Sequence, residues 1–139
     1  MINKVFLIGN VGRDPETRNL ESGGSVTSFS VATTMAWNDK KSGEKKELTE
    51  WHRIVTFNRL AEICGQYLSK GKLVFIEGRL HTRSWEQDGV TRYVTEVRAS
   101  VVQMLNSKES ASKGHTAQPG GNQPPLPPDA YSMDDDIPF

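Results

Sequence analysis

Residues 59–69 read RLAEICGQYLS, and their spacing decides the architecture. Leu60, Ile63, Cys64, Tyr67 and Leu68 recur at helical intervals, which predicts one amphipathic helix with those side chains on its buried face. Gly71 follows where a helix stop is expected. Elsewhere in the first 105 residues the signals are those of strands. Val5–Asn10 is a short apolar run closed by the turn residues of GNVGRDP (9–15). Val26–Trp37 and Leu48–Asn58 are rich in β-branched and aromatic residues, and the charged hairpin loop DKKSGEKK (39–46) lies between them. Lys72–Trp85 and Val90–Leu105 flank EQDG (86–89), whose Asp-Gly pair favours a tight turn.

Five strands with a lone helix between the third and fourth give the element order of an all-β, OB-type closed barrel. An open sandwich is the competing architecture, but it usually needs more strands and no such helix. No internal repeat is present.

Composition changes after Leu105. Residues 1–105 hold 15 Lys+Arg against 12 Asp+Glu, a net +3, and residues 106–139 hold 2 against 5, a net −3. The neutral total thus hides a basic body and an acidic tail, an asymmetry that points to a polyanion partner or a tail-directed one. Six of the seven prolines fall after residue 105, among Ser, Gly, Gln and Asn. Such a segment buries too little apolar surface to offset its ordering entropy, so 106–133 is expected to be a disordered linker. As a flexible coil it would span about 30 Å. The prolines of PPLPP (124–128) would stiffen it locally toward polyproline II, as a spacer or as an SH3-type ligand. The domain boundaries expected are therefore 1–105, 106–133 and 134–139.

A period of two organises the long strands. From Lys72 onward Val74, Ile76, Gly78 and Leu80 suit a barrel interior, while Glu77, Arg79, His81, Arg83 and Trp85 point outward. In the preceding strand Trp51, Arg53, Val55 and Phe57 share a face opposite Ile54 and Thr56. Trp37 ends the second strand beside the lysine-rich hairpin of Lys40, Lys41, Lys45 and Lys46. All three tryptophans sit near cations and strand ends, and exposing them is costly unless a partner covers them. Flat rings interleaved with Arg and Lys suit unpaired nucleic acid: bases stack on the rings without sequence preference, and phosphates meet the cations. Duplex DNA hides its bases from such a surface.

Other chemistry finds little footing. No HExxH, CxxC, Walker loop or nucleophile elbow appears, so no catalytic site, metal or cofactor is expected. Glu77, Glu96 and Asp14 read as solvating charges, and His52, opposite Trp51, as a packing or interface residue. His81 is expected to add a donor to the binding face. A metal-dependent nuclease would need a fixed acidic cluster, yet the acidic run at 134–136 falls in the expected disorder. An adaptor binding protein or RNA through the same sheet is the second rival. With one cysteine, no long apolar run and no leader-like start, a soluble cytoplasmic protein away from membranes is expected.

The segments NKVFLIGNVGRDPE (3–16), TEWHRIVTFNRLAE (49–62), YLSKGKLVFIEG (67–78) and TRYVTEV (91–97) closely resemble, in order and spacing, the bacterial single-stranded DNA-binding protein family. The resemblance covers about residues 2–105 and the terminal hexapeptide. It implies a homotetramer of OB barrels that wraps single-stranded DNA, with Trp37, Trp51, Phe57 and Trp85 as stacking residues and His52 near a subunit contact. The expected phosphate partners are Arg53, Arg79, Arg83 and the four hairpin lysines.

The chain ends DDDIPF. Asp134, Asp135, Asp136 and the terminal carboxylate surround Ile137 and Phe139, while Pro138 restricts the backbone between the apolar groups. That pattern suits a peptide ligand steered by charge to a basic rim with an apolar pocket. The family resemblance implies that such pockets belong to replication, recombination and repair enzymes.

Overall fold

The computed structural model of the chain describes residues 1–105. The expected linker (106–133) and tip (134–139) lie outside the described residues. Six strands and one helix follow in order: β1 (Val5–Val11), β2 (Glu16–Asn19), β3 (Ser25–Asn38), β4 (Lys45–Phe57), α1 (Asn58–Tyr67), β5 (Leu73–Gln87) and β6 (Val90–Met104). The sheet order is β1-β5-β6-β4-β3, and β3 pairs back with β1 at Asn10–Ala32 and Val11–Val31, closing a five-stranded barrel of the OB type. One closing contact is parallel, Ile54 with Val97 and Val55 with Arg98 on β4 and β6.

The sixth strand is a short addition. Among the described residues β2 pairs only with β3, and its four residues ETRN are all exposed. It offers no apolar period to detect, yet α1 still falls between the third and fourth strands of the barrel proper.

Interior side chains come from alternate positions. Val11, Phe29, Val31, Ile54, Val74, Ile76 and Val97 form the core, and Cys64 and Leu68 close it from the helix side. Ala61 is also fully buried, and its carbonyl accepts a 2.6 Å hydrogen bond from the Thr27 hydroxyl, tying α1 to β3. Tyr67, expected on the buried helix face, is half exposed because α1 ends there and Leu68 is already extended. Burial pushes the Cys64 thiol up to about 11.

Two pairs of strands outrun the barrel. β3 and β4 stay paired to Asn38–Lys45, and β5 and β6 to Gln87–Val90. The second ribbon turns through Asp88 and Gly89, both at positive φ (54° and 74°), the geometry that Asp-Gly favours in a two-residue hairpin. Leu80 was expected inside but is 50 % exposed. Its partner Val97 is the β6 residue that reaches Ile54 of β4; beyond it, among the described residues, the ribbon has no third strand to cover its inner face.

At Glu77 and Gly78 the β5–β6 register shifts, with Ser100 left over on β6 between Ala99 and Val101. The extra residue reverses which β6 positions face outward. Before it Arg92, Glu96 and Arg98 share the face of Trp85, His81 and Arg79; after it Val102 and Met104 turn to the core side.

Candidate nucleic-acid interface

Strand period and register assemble one outer wall from β4, β6 and β5. β4 presents Trp51, Arg53, Val55 and Phe57 there, while Ile54 and Thr56 are fully buried behind it. β5 presents Arg79, His81, Arg83 and Trp85. β6 runs between them, with Arg98 beside Val55 and Arg79, Glu96 beside His81, and Arg92 beside Trp85. Cross-strand partners share a face, so β4 joins the wall at Val55–Arg98 and β5 joins it along Arg79–Trp85.

Its rings are open. Trp51 is 64 % exposed, Trp85 39 % and Phe57 36 %. The Trp51 ring lies against Gly12, where any Cβ would collide with it. A guanidinium attends each of the other two: Arg83 lies 5.4 Å from the Trp85 ring and Arg98 5.3 Å from the Phe57 ring. Both distances fall within cation–π range.

Charge on the wall is organised by Glu96, an engaged acid where the sequence suggests a solvating one. Glu96 is 4 % exposed, and its Oε2 lies 3.4 Å from Arg83 Nε and 3.6 Å from Arg53 Nε. The other two acids are engaged as well. Glu77 pairs with Lys4, and Asp14 accepts a 2.9 Å hydrogen bond from the Lys70 backbone N–H. Arg18 and Arg98 were not anticipated at the site. With Arg53, Arg83, Glu96 and Phe57 they line a pocket of about 200 Å³. The charged even positions of β6 were the available signal for Glu96 and Arg98. Arg18, on the unpatterned β2, gave none.

Trp37 stands apart. It pairs with Lys46, whereas Trp51 pairs with Ala32, so by register the two tryptophans occupy opposite faces of the β3–β4 ribbon. Trp37 is 43 % exposed and shares its face with Met35 and Leu48, both exposed. The wall therefore gathers Trp51, Phe57, Trp85, Arg53, Arg79 and Arg83, but not Trp37.

The hairpin lysines differ among themselves. Lys46 pairs with Asp39 at 3.0 Å, and Lys45 lies 4.0 Å from Glu47. Lys40 and Lys41 are not ion-paired among the described residues. Asp39 accepts hydrogen bonds from the Lys41 backbone N–H and the Ser42 hydroxyl, both at 3.1 Å. The Lys41 N–H first, then Lys46 and Ser42, hold its carboxyl below the ordinary value.

His52 lies on the opposite face of β4 from Trp51, paired with Val31 and half-buried, its Nε2 2.8 Å from the Thr33 hydroxyl. Among the described residues no three His, Cys, Asp or Glu side chains cluster as metal ligands would, and no helix is long and apolar enough to cross a membrane.

The barrel has relatives among known proteins. Residues 2–105 match the Single-strand binding protein family. Among solved structures, the Plasmodium falciparum SSB in complex with ssDNA is 36% identical, with a TM-score of 0.68 over 76% of this chain and 96% of that one. The wild-type single-stranded DNA binding protein of Thermus aquaticus is also 36% identical, with a TM-score of 0.66. A deletion mutant of it gives 0.67, and each Thermus comparison covers 77% of this chain but only 52% of the other. The match spans the whole barrel and both ribbons, and on that ground the chain belongs to the single-strand binding protein family.

Proposed function

We propose that the protein coats single-stranded DNA without sequence preference. Bases stack on Trp51, Phe57, Trp85 and Trp37, and phosphates meet Arg53, Arg79, Arg83 and the hairpin residues Lys40, Lys41, Lys45 and Lys46. The observation that carries the reading is the β4–β6–β5 wall, where three rings are open on one surface and an arginine stands over two of them, Phe57 and Trp85. The Plasmodium relative in complex with ssDNA supports it. Every base has a π-face, so stacking protects any sequence, while duplex DNA keeps its bases paired and stacked out of reach. No reaction is assigned to the protein, nor any cofactor or metal.

Assembly as a homotetramer fits a second surface. β1 pairs with β5 along Val5–Asn10 but meets β3 only at Asn10 and Val11, so its edge away from β5 is unpaired from Val5 to Gly9 among the described residues. Phe6 (61 % exposed) and Ile8 (58 % exposed) share the outer face of the β1–β5 pair with Leu73 and Phe75. An unpaired edge flanked by exposed apolar side chains favours self-association. The count of four rests on family resemblance, as does a subunit contact at His52. Several linked barrels on one strand gain avidity.

The tip, Asp134, Asp135, Asp136, Ile137, Pro138 and Phe139, recruits replication, recombination and repair enzymes, with 106–133 as the tether. The site of action is the cytoplasm, on the nucleoid.

The test is quenching of tryptophan fluorescence by poly-dT at several salt concentrations, with single-stranded RNA and duplex DNA as competitors. Saturable quenching that salt weakens and duplex fails to reverse is expected. Equal competition by duplex, or no quenching, overturns the reading. Labelled oligonucleotide incubated with magnesium should stay intact. A chain ending at residue 133 should bind poly-dT but fail to retain the repair enzymes.

A further inference from the structure

Four arginines, Arg18, Arg53, Arg83 and Arg98, line one pocket of the wall together with one acid, Glu96. They are not equivalent. Arg53 and Arg83 each reach the same Glu96 oxygen, Oε2, at 3.6 and 3.4 Å. Arg18 and Arg98 have no ion pair among the described residues, and Arg98 Nε is buried with no hydrogen-bond partner there. Glu96 itself is 4 % exposed, so water does little to screen it.

We infer that Glu96 is a positioning residue that ties down Arg53 and Arg83 and limits how many strand phosphates the wall takes up. The inference rests on the proposed binding of single-stranded DNA. Two guanidiniums and one buried carboxylate amount to one net positive charge, so the trio binds as one cation, not two. The tie also has a geometric side. Arg83 stands over Trp85, so the carboxylate that holds its Nε fixes the cation beside that ring. Arg18 and Arg98 are left as the pocket's untied partners for a phosphate.

The salt dependence of binding reads this directly. For single strands the slope of log K against log salt is about −0.7 per phosphate neutralised. Glu96→Gln keeps the side-chain size and removes the charge. It should steepen the slope by about 0.7, so variant and parent diverge about fivefold in relative affinity per tenfold change in salt. Glu96→Asp keeps the charge but shortens the reach. It should bind more weakly along a line parallel to the parent. Glu96→Gln combined with Arg53→Gln restores the net charge of the trio, and should restore the parent slope.

Poly-dT titrations of the full chain across a tenfold salt range decide the matter, with thermal melting as the check on folding. A folded Glu96→Gln chain whose line runs parallel to the parent overturns the inference alone. Should that variant melt below the assay temperature, the charge-restored double variant decides instead: a parent-like slope supports the inference, and a steeper or shallower one overturns it. A parent chain that does not bind poly-dT overturns the functional reading and this inference with it.

Discussion

Two outer faces of the same barrel share a design and differ in charge. The β4–β6–β5 wall carries Trp51, Phe57 and Trp85 among arginines, with Glu96 buried between two of them. The β1–β5 face carries Phe6, Ile8, Leu73 and Phe75, with the Phe6 and Phe75 rings stacked at 6.4 Å beside an unpaired strand edge. Both leave large apolar groups open, so exposure alone does not tell them apart. Arginines do: the β1–β5 face has one lysine, Lys4, 5.8 Å from the Phe6 ring and paired with Glu77, and no guanidinium over a ring. Rings with guanidiniums beside them suit a polyanion with flat bases, and apolar groups beside a free edge suit another barrel.

That contrast can be broken by exchanging its elements. The largest effect is expected from Ile8→Asp, which sets a carboxylate on the apolar face. Sedimentation should then find the variant as single chains and the parent associated, with the circular dichroism of the barrel retained in both. Persistence of the assembly would remove the distinction between the faces. Trp51→Ala comes next. One stacked base is worth roughly 1–3 kcal/mol, so poly-dT binding should weaken by about one to two orders of magnitude, with melting little changed. An unfolded variant would instead make Trp51 part of the core. Arg98→Gln sharpens the comparison further. It should lower the salt slope by about 0.7 and weaken binding a few-fold at low salt.

The smallest effect concerns the core shared by both faces. The folded thiol of Cys64 titrates near 11, against an ordinary value of 9.0. Stability from keeping it neutral is fully present below pH 9 and is lost as pH rises through 11. Melting temperatures should fall more steeply over that window in the parent than in Cys64→Ala. At pH 8 a thiol reagent should label Cys64 only after unfolding, because the residue is 1 % exposed.

Much of this was legible in the residues. The helical spacing of 59–69 put one helix in the middle of a strand-rich chain, and that order led to the barrel. Alternation along Trp51–Phe57 and Arg79–Trp85 identified two strands of the wall, because the period of two survives wherever one side is buried. Other features depend on partners distant in sequence. Leu80 fits the interior period, but only strand pairing reveals that the barrel ends at its position. The opposed faces of Trp37 and Trp51 follow from register across the β3–β4 hairpin, which the loop DKKSGEKK does not specify. Glu96 looked like an ordinary surface acid because neither arginine that holds it is near it in the chain. β2 was invisible for a simpler reason: ETRN has no apolar side to bury.

Ser100 gives the fold an arithmetic that constrains how its length could drift. Because this unmatched serine reverses the parity of β6, losing it would force a choice between the outward setting of Arg98 and the inward packing of Val102 and Met104. Composition and hydropathy would scarcely change, yet one surface or the other would be turned inside out. Insertions and deletions should therefore be tolerated at the hairpin tips and selected against within the last fifteen residues of the barrel, Val90–Met104.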